Sequence, residues 1–124
     1  FLPFLTAGLP AAPAPRVTGD HYWFDAAQVY TGRAAAGFGA AIKGGHNDEH
    51  HNHNDVGSFV VAAADRPVLV DPGLEVYTQR TFSPQRYDSK VINSYGHSVP
   101  VVAGELQRTG RKHAARVVST SFSA

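Results

Sequence analysis

The chain has 124 residues, no cysteine and a formal net charge of +1 with histidine neutral, and 43% of its residues are hydrophobic. This length suits one domain with a modest core, while the near-zero charge and the lack of any apolar run of about 18 residues give no case for a nucleic-acid partner or a transmembrane helix. Without cysteine, disulfides and thiolate metal sites are excluded, so any bound metal must take nitrogen and oxygen ligands.

The first segment of the chain, residues 1–18, is proline-rich, with Pro3, Pro10, Pro13 and Pro15 among alanines and leucines. Such segments are stiff, extended spacers, so we expect a linker here rather than a signal peptide. Residues 19–124 then form one folded domain. Because the chain does not begin with methionine, we interpret it as a fragment or a processed product, with an incomplete domain.

Short runs of β-branched, aromatic and small apolar residues alternate with glycine and proline turns after residue 18. They predict strands at 21–24, 27–31, 35–43, 57–63, 67–70, 91–95, 98–103 and 114–122, with a turn at Arg66-Pro67. Residues 78–89 predict an excursion loop, and no amphipathic helix exceeds about two turns. Many short strands separated by turns are typical of an antiparallel sandwich or barrel. The predicted fold class is therefore all-β, an antiparallel β-sandwich.

The segment 43–59 is the most unusual part of the sequence, because four of the seven histidines fall within residues 46–53. Imidazole is a good metal ligand and titrates near physiological pH. His51 and His53 are two residues apart, so on an extended strand their side chains share one face, which Asp55 continues. This density of histidine predicts metal binding or acid–base chemistry.

Two downstream residues extend this pattern. Asp71 ends a run that predicts a buried strand, where a carboxylate must be paired, solvated or metal-bound. His97 follows a glycine between two predicted strands. A set of His53, Asp71 and His97 suits zinc with water or another donor in the fourth position. The same residues are also compatible with a surface turn rich in histidine and asparagine and an Asp-Pro-Gly turn.

The segments 42–47, 51–59, 67–73 with Tyr77, and 94–100 carry the combination H-N-H-N-D-x-G-S-F, D-x-G and a later histidine. Together they resemble the heparinase II/III-like family of polysaccharide lyases, over about residues 22–107. The resemblance implies an antiparallel β-sandwich that follows a helical toroid. Residues 1–18 would then be the end of the toroid or the link out of it.

The resemblance implies zinc ligands at His53, Asp71 and His97, and a catalytic role for His51, facing the substrate cleft. The family cleaves uronic-acid glycans by β-elimination, so the implied partner is an acidic polysaccharide. Its catalytic tyrosine comes from the toroid, which is expected as a further domain or chain. We therefore expect a structural zinc, little activity from this chain alone, and a periplasmic or secreted protein.

His46, Asn47 and Glu49 are candidate substrate-binding residues beside the H-x-H pair, although Gly44-Gly45-His46-Asn47 also reads as a simple turn. In the excursion loop, an arginine- and tyrosine-rich stretch suits either an acidic sugar or an ordinary surface; it contains Arg80, Arg86 and Tyr87.

Two other classes of function remain open on the sequence. One is a metal-binding cupin-like β-barrel, because Gly45 and His51-x-His53 match the start of a cupin motif, although the glutamate expected a few residues later is missing. The other is a non-catalytic carbohydrate-binding module. Bound iron would favour the cupin, whereas zinc together with an upstream toroid would favour the lyase.

Overall fold

The structure is a computed structural model that describes residues 20–34, 37–64 and 66–119. Within these ranges it contains seven strands and two short 3-10 helices. The strands are β1 (His21–Phe24), β2 (Val29–Arg33), β3 (Gly39–Lys43), β4 (Gly45–Asn47), β5 (Phe59–Ala63), β6 (Arg66–Leu69) and β7 (Gly110–Ala115). The 3-10 helices span Gln79–Phe82 and Pro84–Asp88. The predicted linker over residues 1–18 lies outside the described residues.

The strands form two antiparallel sheets. A five-stranded sheet has the order β1-β2-β3-β5-β6, and β4 pairs with β7 in a separate two-stranded sheet. The predicted all-β class with antiparallel pairing is confirmed, while the face-to-face packing of a sandwich remains a prediction. No helix in the described ranges is long and apolar enough to cross a membrane.

The chain passes from the first sheet to the second at a pair of glycines. Gly45 has a φ of 78°, in the left-handed region that favours glycine. The Gly44 amide donates to the Gln28 carbonyl at 2.7 Å, and a Cβ on Gly44 would lie 3.2 Å from the Val117 side chain. This tight turn separates β4 from β3, and the His-rich loop follows directly after β4.

Buried residues gather around the histidines rather than within the five-stranded sheet. Val56 and Ile92 are the buried apolar side chains of the described residues, and apolar residues of the sheet such as Ile42 and Phe59 are exposed. The interior is therefore mainly polar, and burial of polar groups requires hydrogen bonds to replace those with water. Its polar members are Asn47, Asn52, His53, Asn54, Thr81, Ser89, Ser94 and His97.

Several predicted strand limits were wrong. Residues 91–103 form turns with one isolated bridge between Val102 and Glu105, instead of two strands. In these turns the Asn93 side chain donates to the Tyr87 carbonyl at 3.0 Å and accepts from the Tyr95 amide at 2.9 Å, which satisfies the backbone without a ladder. A Cβ on Gly96 would collide with the Lys90 carbonyl oxygen, so the turn before His97 requires glycine.

The remaining differences lie at strand ends, in the predicted loop over residues 78–89, and at β4 (Gly45–Asn47), which was not among the predicted strands. The predicted turn at Arg66-Pro67 belongs to β6, and the last strand begins at Gly110 and ends at Ala115. The predicted loop over residues 78–89 contains both 3-10 helices. Proline starts the second of them, a position where its missing N–H costs no hydrogen bond.

Candidate functional site

The His-rich segment is a loop between β4 and β5, and its base is closed by backbone hydrogen bonds. The Lys43 amide donates to the Ser58 carbonyl at 2.9 Å, and the Gly57 amide donates to the Lys43 carbonyl at 2.8 Å. His51 adopts a left-handed φ of 59°. As a result His51 is exposed and His53 is buried. The expected extended strand, with both histidines on one face, was therefore wrong.

Asp71, His97 and His53 form a continuous chain of hydrogen bonds. The Asp71 Oδ2 atom lies 2.7 Å from His97 Nδ1, and His97 Nε2 lies 3.2 Å from His53 Nδ1. The His97 side chain is 1% exposed, while that of Asp71 is 37% exposed. The three predicted zinc ligands are thus in contact, although 18 and 26 residues separate them along the chain.

The order of donors in this chain follows from the carboxylate. An ionised carboxylate only accepts, so His97 Nδ1 donates to Asp71. A neutral His97 then accepts at Nε2 from His53 Nδ1–H. The remaining nitrogen, His53 Nε2, is buried and has no hydrogen-bond partner among the described residues. The hydrogen-bonded series therefore ends in a buried lone pair without a partner, which is costly, and this nitrogen is not the one that faces His97.

Burial keeps His53 neutral. Desolvation, followed by the neighbouring His97, lowers the pKa of His53 below its ordinary value of 6.5, and Asp55 and Asp71 oppose this shift. Neutral imidazole is the form that binds metals. The electrostatics of the buried pair therefore favour the ligating form of His53 at physiological pH.

The fit of these residues to a metal ion is partial. His53 Nδ1 and His97 Nε2 face each other at 3.2 Å. This separation is close to the distance between two donor atoms of a tetrahedral zinc site whose bonds are about 2.1 Å long. Asp71 contacts the other ring nitrogen of His97, Nδ1. In metal sites, a carboxylate in this position commonly orients the histidine that binds the metal. In the described ranges no three such side chains already converge on one point.

His51 is paired with a tyrosine on the exposed side of the loop. The Tyr77 hydroxyl lies 3.3 Å from His51 Nδ1, and the two rings stack with centroids 5.8 Å apart and 11° between planes. Phe82 contacts the Tyr77 ring edge-on at 5.6 Å. The sequence placed Tyr77 within the family-like segment but gave it no role. An imidazole and a phenol at this distance are able to exchange a proton.

The three candidate substrate-binding residues occupy different environments. Asn47 is 2% exposed, and its amide nitrogen donates to Gln107 Oε1 at 3.0 Å and to the Arg108 carbonyl at 3.1 Å. His46 Nε2 lies 3.2 Å from the carboxylate of the exposed Glu49. Glu49 is thus exposed to solvent. Asn47 is buried, and its hydrogen bonds connect β4 to Gln107 and Arg108, which precede β7.

A shallow cavity of about 260 Å³ opens beside the histidines. Its charged groups are three carboxylates and one ammonium, and Lys43 Nζ lies 2.5 Å from Asp55 Oδ1. The cavity is lined by the exposed His51 and by His53 and Asp71, the two ends of the hydrogen-bonded series. It is lined by Lys43, Glu49, His50, His51, Asn52, His53, Asp55, Asp71, Gly73 and Leu74.

The 3-10 helices clamp the His-rich loop from one side. Arg86 donates from Nε and Nη2 to the Asn52 carbonyl at 3.2 and 3.0 Å, and from Nη1 to the Thr81 carbonyl at 2.9 Å. The Asn52 amide nitrogen donates to the Tyr87 hydroxyl at 3.3 Å. The guanidinium of Arg86 thus fixes the loop. Arg80 instead pairs with Glu75 at 3.3 Å.

Gln107 holds the other side of the loop. Its carbonyl accepts from the Asn54 side chain at 3.2 Å, and its Nε2 donates to the Val56 carbonyl at 2.8 Å. Its amide donates to the Ser94 hydroxyl at 2.8 Å. These contacts join three segments that are far apart in sequence. Gln107 was not a sequence candidate, because a glutamine in a loop carries no motif.

Comparison of the sequence with protein-family models finds none that matches, and comparison with curated proteins finds no significant match either.

Proposed function

We propose that this chain is the β-sandwich portion of a polysaccharide lyase that cleaves uronic-acid-containing glycans by β-elimination. The observation that carries the proposal is the exposed His51–Tyr77 pair, in which His51 lies on the same loop as the buried His53 that contacts His97. An acid–base pair open to solvent, beside a buried and hydrogen-bonded polar cluster, is what a proton-transfer reaction on a large substrate needs.

The reaction divides into proton removal and bond cleavage. A base takes the proton from C5 of the uronate, and the electron pair is delocalised into the carboxylate. The C4–O bond then breaks, the leaving oxygen takes a proton, and the product carries a C4–C5 double bond. The chemistry needs a base of suitable pKa, stabilisation of the enolate-like charge and an acid for the leaving oxygen.

His51 is the residue of this chain that we assign to the reaction. Its Nδ1 is fixed by Tyr77, so its other ring nitrogen is oriented for a ligand. Imidazole in that position is suited to neutralise the uronate carboxylate or to relay a proton. Because Tyr77 lies in direct contact with His51, its hydroxyl is suited to exchange a proton with the ring.

We assign zinc to the site of His53, Asp71 and His97, with the two histidine nitrogens as the donors that the geometry favours and Asp71 supporting His97. A bound zinc would supply fixed positive charge and folding energy. His53 and His97 would hold it, and its role is to stabilise the loop that presents His51. A helical toroid, as a further domain or chain, would complete the cleft and supply the main catalytic tyrosine, and the protein would act in the periplasm or outside the cell.

The test is a lyase assay on the protein joined to its toroid, with His50→Ala as the matched control for His51→Ala. We expect His51→Ala to lower kcat by about 10²-fold or more, as for the loss of an acid–base group, and His50→Ala to retain activity because His50 is an exposed neighbour. No unsaturated product from heparin, heparan sulfate or alginate with the unsubstituted protein would contradict the proposal.

The same preparation separates the alternatives. Stoichiometric iron in place of zinc by elemental analysis would favour a metal-binding cupin-like β-barrel. Glycan binding without any turnover, even with the toroid present, would favour a non-catalytic carbohydrate-binding module.

A further inference from the structure

We infer that strand β7 and the residues beside it form a binding surface for a linear anionic polysaccharide, separate from the His-rich cavity. This inference rests on the proposed function for the class of ligand. The surface consists of the side chains of Arg108, Arg111, Lys112 and Arg116, and we call it the β7 basic surface.

The β7 basic surface concentrates charge in an almost neutral protein. It holds four of the eleven lysines and arginines within nine residues, and no aspartate or glutamate follows Glu105. All four side chains belong to exposed residues. Arg111 lies 3.9 Å from Asp48, while the other three have no carboxylate of the described residues within ion-pair distance. Their charge is therefore available to an external anion.

The pairing of β7 with β4 is irregular at the centre of the β7 basic surface. His46 pairs with Ala114, but the next residue, Asn47, pairs with Gly110. Residues 111–113 thus have no partner residue in β4 and form a bulge. The bulge carries the exposed Arg111 and Lys112, and Arg111 lies 3.9 Å from Asp48 in the His-rich loop.

The cavity itself does not supply this charge. Its wall carries Glu49, Asp55 and Asp71 against Lys43, and Lys43 is already paired with Asp55. Apart from the histidines and a bound zinc, these side chains carry more negative than positive charge, so the cavity wall offers no free lysine or arginine to attract an acidic glycan. The free lysines and arginines that would attract and hold an acidic glycan therefore lie outside the cavity.

The spacing of the cations favours a long polyanion over a small ion. Strand residues advance about 3.3 Å each, so a single phosphate or acetate is able to contact only one or two of these side chains. Nucleic acid is disfavoured because residues 108–119 contain no Phe, Tyr or Trp on which bases would stack. A sulfated or carboxylated polysaccharide matches the charge without needing stacking.

The experiment measures heparin binding at several salt concentrations with the chain and with Arg111→Ala/Lys112→Ala. The control is Arg33→Ala/Arg66→Ala, which removes the same charge from exposed positions of the five-stranded sheet. We expect the β7 double variant to bind heparin about tenfold more weakly near 0.1 M salt. The slope of log affinity against log salt concentration should decrease by about one for each cation removed. The charge-conserving Arg111→Lys/Lys112→Arg variant should retain binding.

Equal losses in the two alanine pairs would overturn the inference, because net charge alone would then explain binding. Absence of heparin binding by the unsubstituted chain, or equal affinity for single-stranded DNA of similar charge, would also overturn it. Lyase activity is a separate readout. If the β7 variant binds heparin as well as the unsubstituted chain and the joined protein cleaves glycan, the β7 basic surface is rejected and the lyase proposal stands. If the β7 variant selectively loses heparin binding and the joined protein cleaves no glycan, the β7 basic surface stands and the lyase proposal is rejected.

Discussion

His53 and His51 differ in burial although only one residue separates them. His53 ends a buried hydrogen-bonded chain with a free nitrogen, whereas His51 faces solvent and contacts Tyr77. The first has the environment of a ligand and the second that of a reacting group. The left-handed backbone at His51 interrupts the extended conformation that would have placed both side chains on one face.

We predict that His53→Ala destabilises the zinc-loaded protein more than His51→Ala does. Loss of a ligand removes metal-linked folding energy of about 3 kcal/mol when free zinc is 100-fold above its Kd, while loss of an exposed side chain costs less than about 1 kcal/mol. Thermal melts with and without a chelator measure the difference. Identical melting temperatures for the two variants, insensitive to chelator, would exclude a structural zinc at His53.

The lowered pKa of His53 predicts a pH dependence for the metal-free protein. Between the folded pKa and the unfolded value near 6.5, the unfolded state binds more protons, so stability falls as pH decreases through that window and is complete above it. Urea unfolding of chelated protein from pH 8 to pH 5 tests this. His53→Ala should flatten the dependence, and a variant that loses stability as steeply as the parent would show that another group is responsible.

The second 3-10 helix matters because it carries Arg86, which donates three hydrogen bonds, two to the Asn52 carbonyl and one to the Thr81 carbonyl of the first 3-10 helix. These hydrogen bonds hold the His-rich loop in place, where the described residues provide few apolar contacts to do so. The helices are short, and their capping is local: the Thr81 hydroxyl accepts from the Thr78 amide in the first, and the Ser83 side chain accepts from the Gln85 amide in the second. Their position therefore depends on these side chains more than on packing.

We predict that Arg86→Ala lowers the free energy of unfolding by about 2 kcal/mol, because it leaves the Asn52 and Thr81 carbonyls without their donors. Arg80→Ala is the matched control. Arg80 is more exposed and makes a surface ion pair with Glu75, so its loss should cost less than about 1 kcal/mol. The urea midpoints of the two variants give the comparison, and equal midpoints would mean that Arg86 is not a clamp.

Taken as one body, the described part of the chain has a polar interior and an open sheet. Exposed apolar side chains on the sheet, such as Phe24, Val68 and Leu69, leave much of its surface in contact with water. Hydrophobic burial supplies most of the stability of ordinary domains. Here the hydrogen-bonded layer around the histidines has to contribute a larger share, which ties folding closely to the integrity of the site.

The 124-residue chain by itself should have little or no lyase activity. β-Elimination needs both a positioned base and a proton donor, each worth about 10²–10⁴-fold, and a long glycan must be oriented along an extended wall. Absorbance of the unsaturated uronate, with heparin, heparan sulfate and alginate as substrates, measures turnover. Rapid turnover that is lost in His51→Ala would instead show that His51 and Tyr77 supply acid and base within this chain.

The local pattern of the sequence was sufficient for the all-β class and for five of the strands in outline, at β1, β2, β3, β5 and β6. These runs alternate or cluster apolar residues between glycine and proline, and such short-range signals act within a few residues. The same pattern failed at residues 91–103. There the Asn93 side chain hydrogen-bonds to the backbone of the turn, and the close approach of Gly96 to the Lys90 carbonyl requires glycine. Neither contact appears in the hydrophobic periodicity of the sequence.

The sequence also identified His53, Asp71 and His97 as one set, but only the tertiary structure decided how they meet. Their order as carboxylate, imidazole, imidazole depends on which ring nitrogen faces which neighbour, and that is fixed by the packing of three distant segments. The pairing of His51 with Tyr77 has the same origin. Residue type determined the chemistry available to this protein, whereas long-range packing determined the direction, burial and hydrogen-bond partner of each group, on which their protonation and reactivity depend.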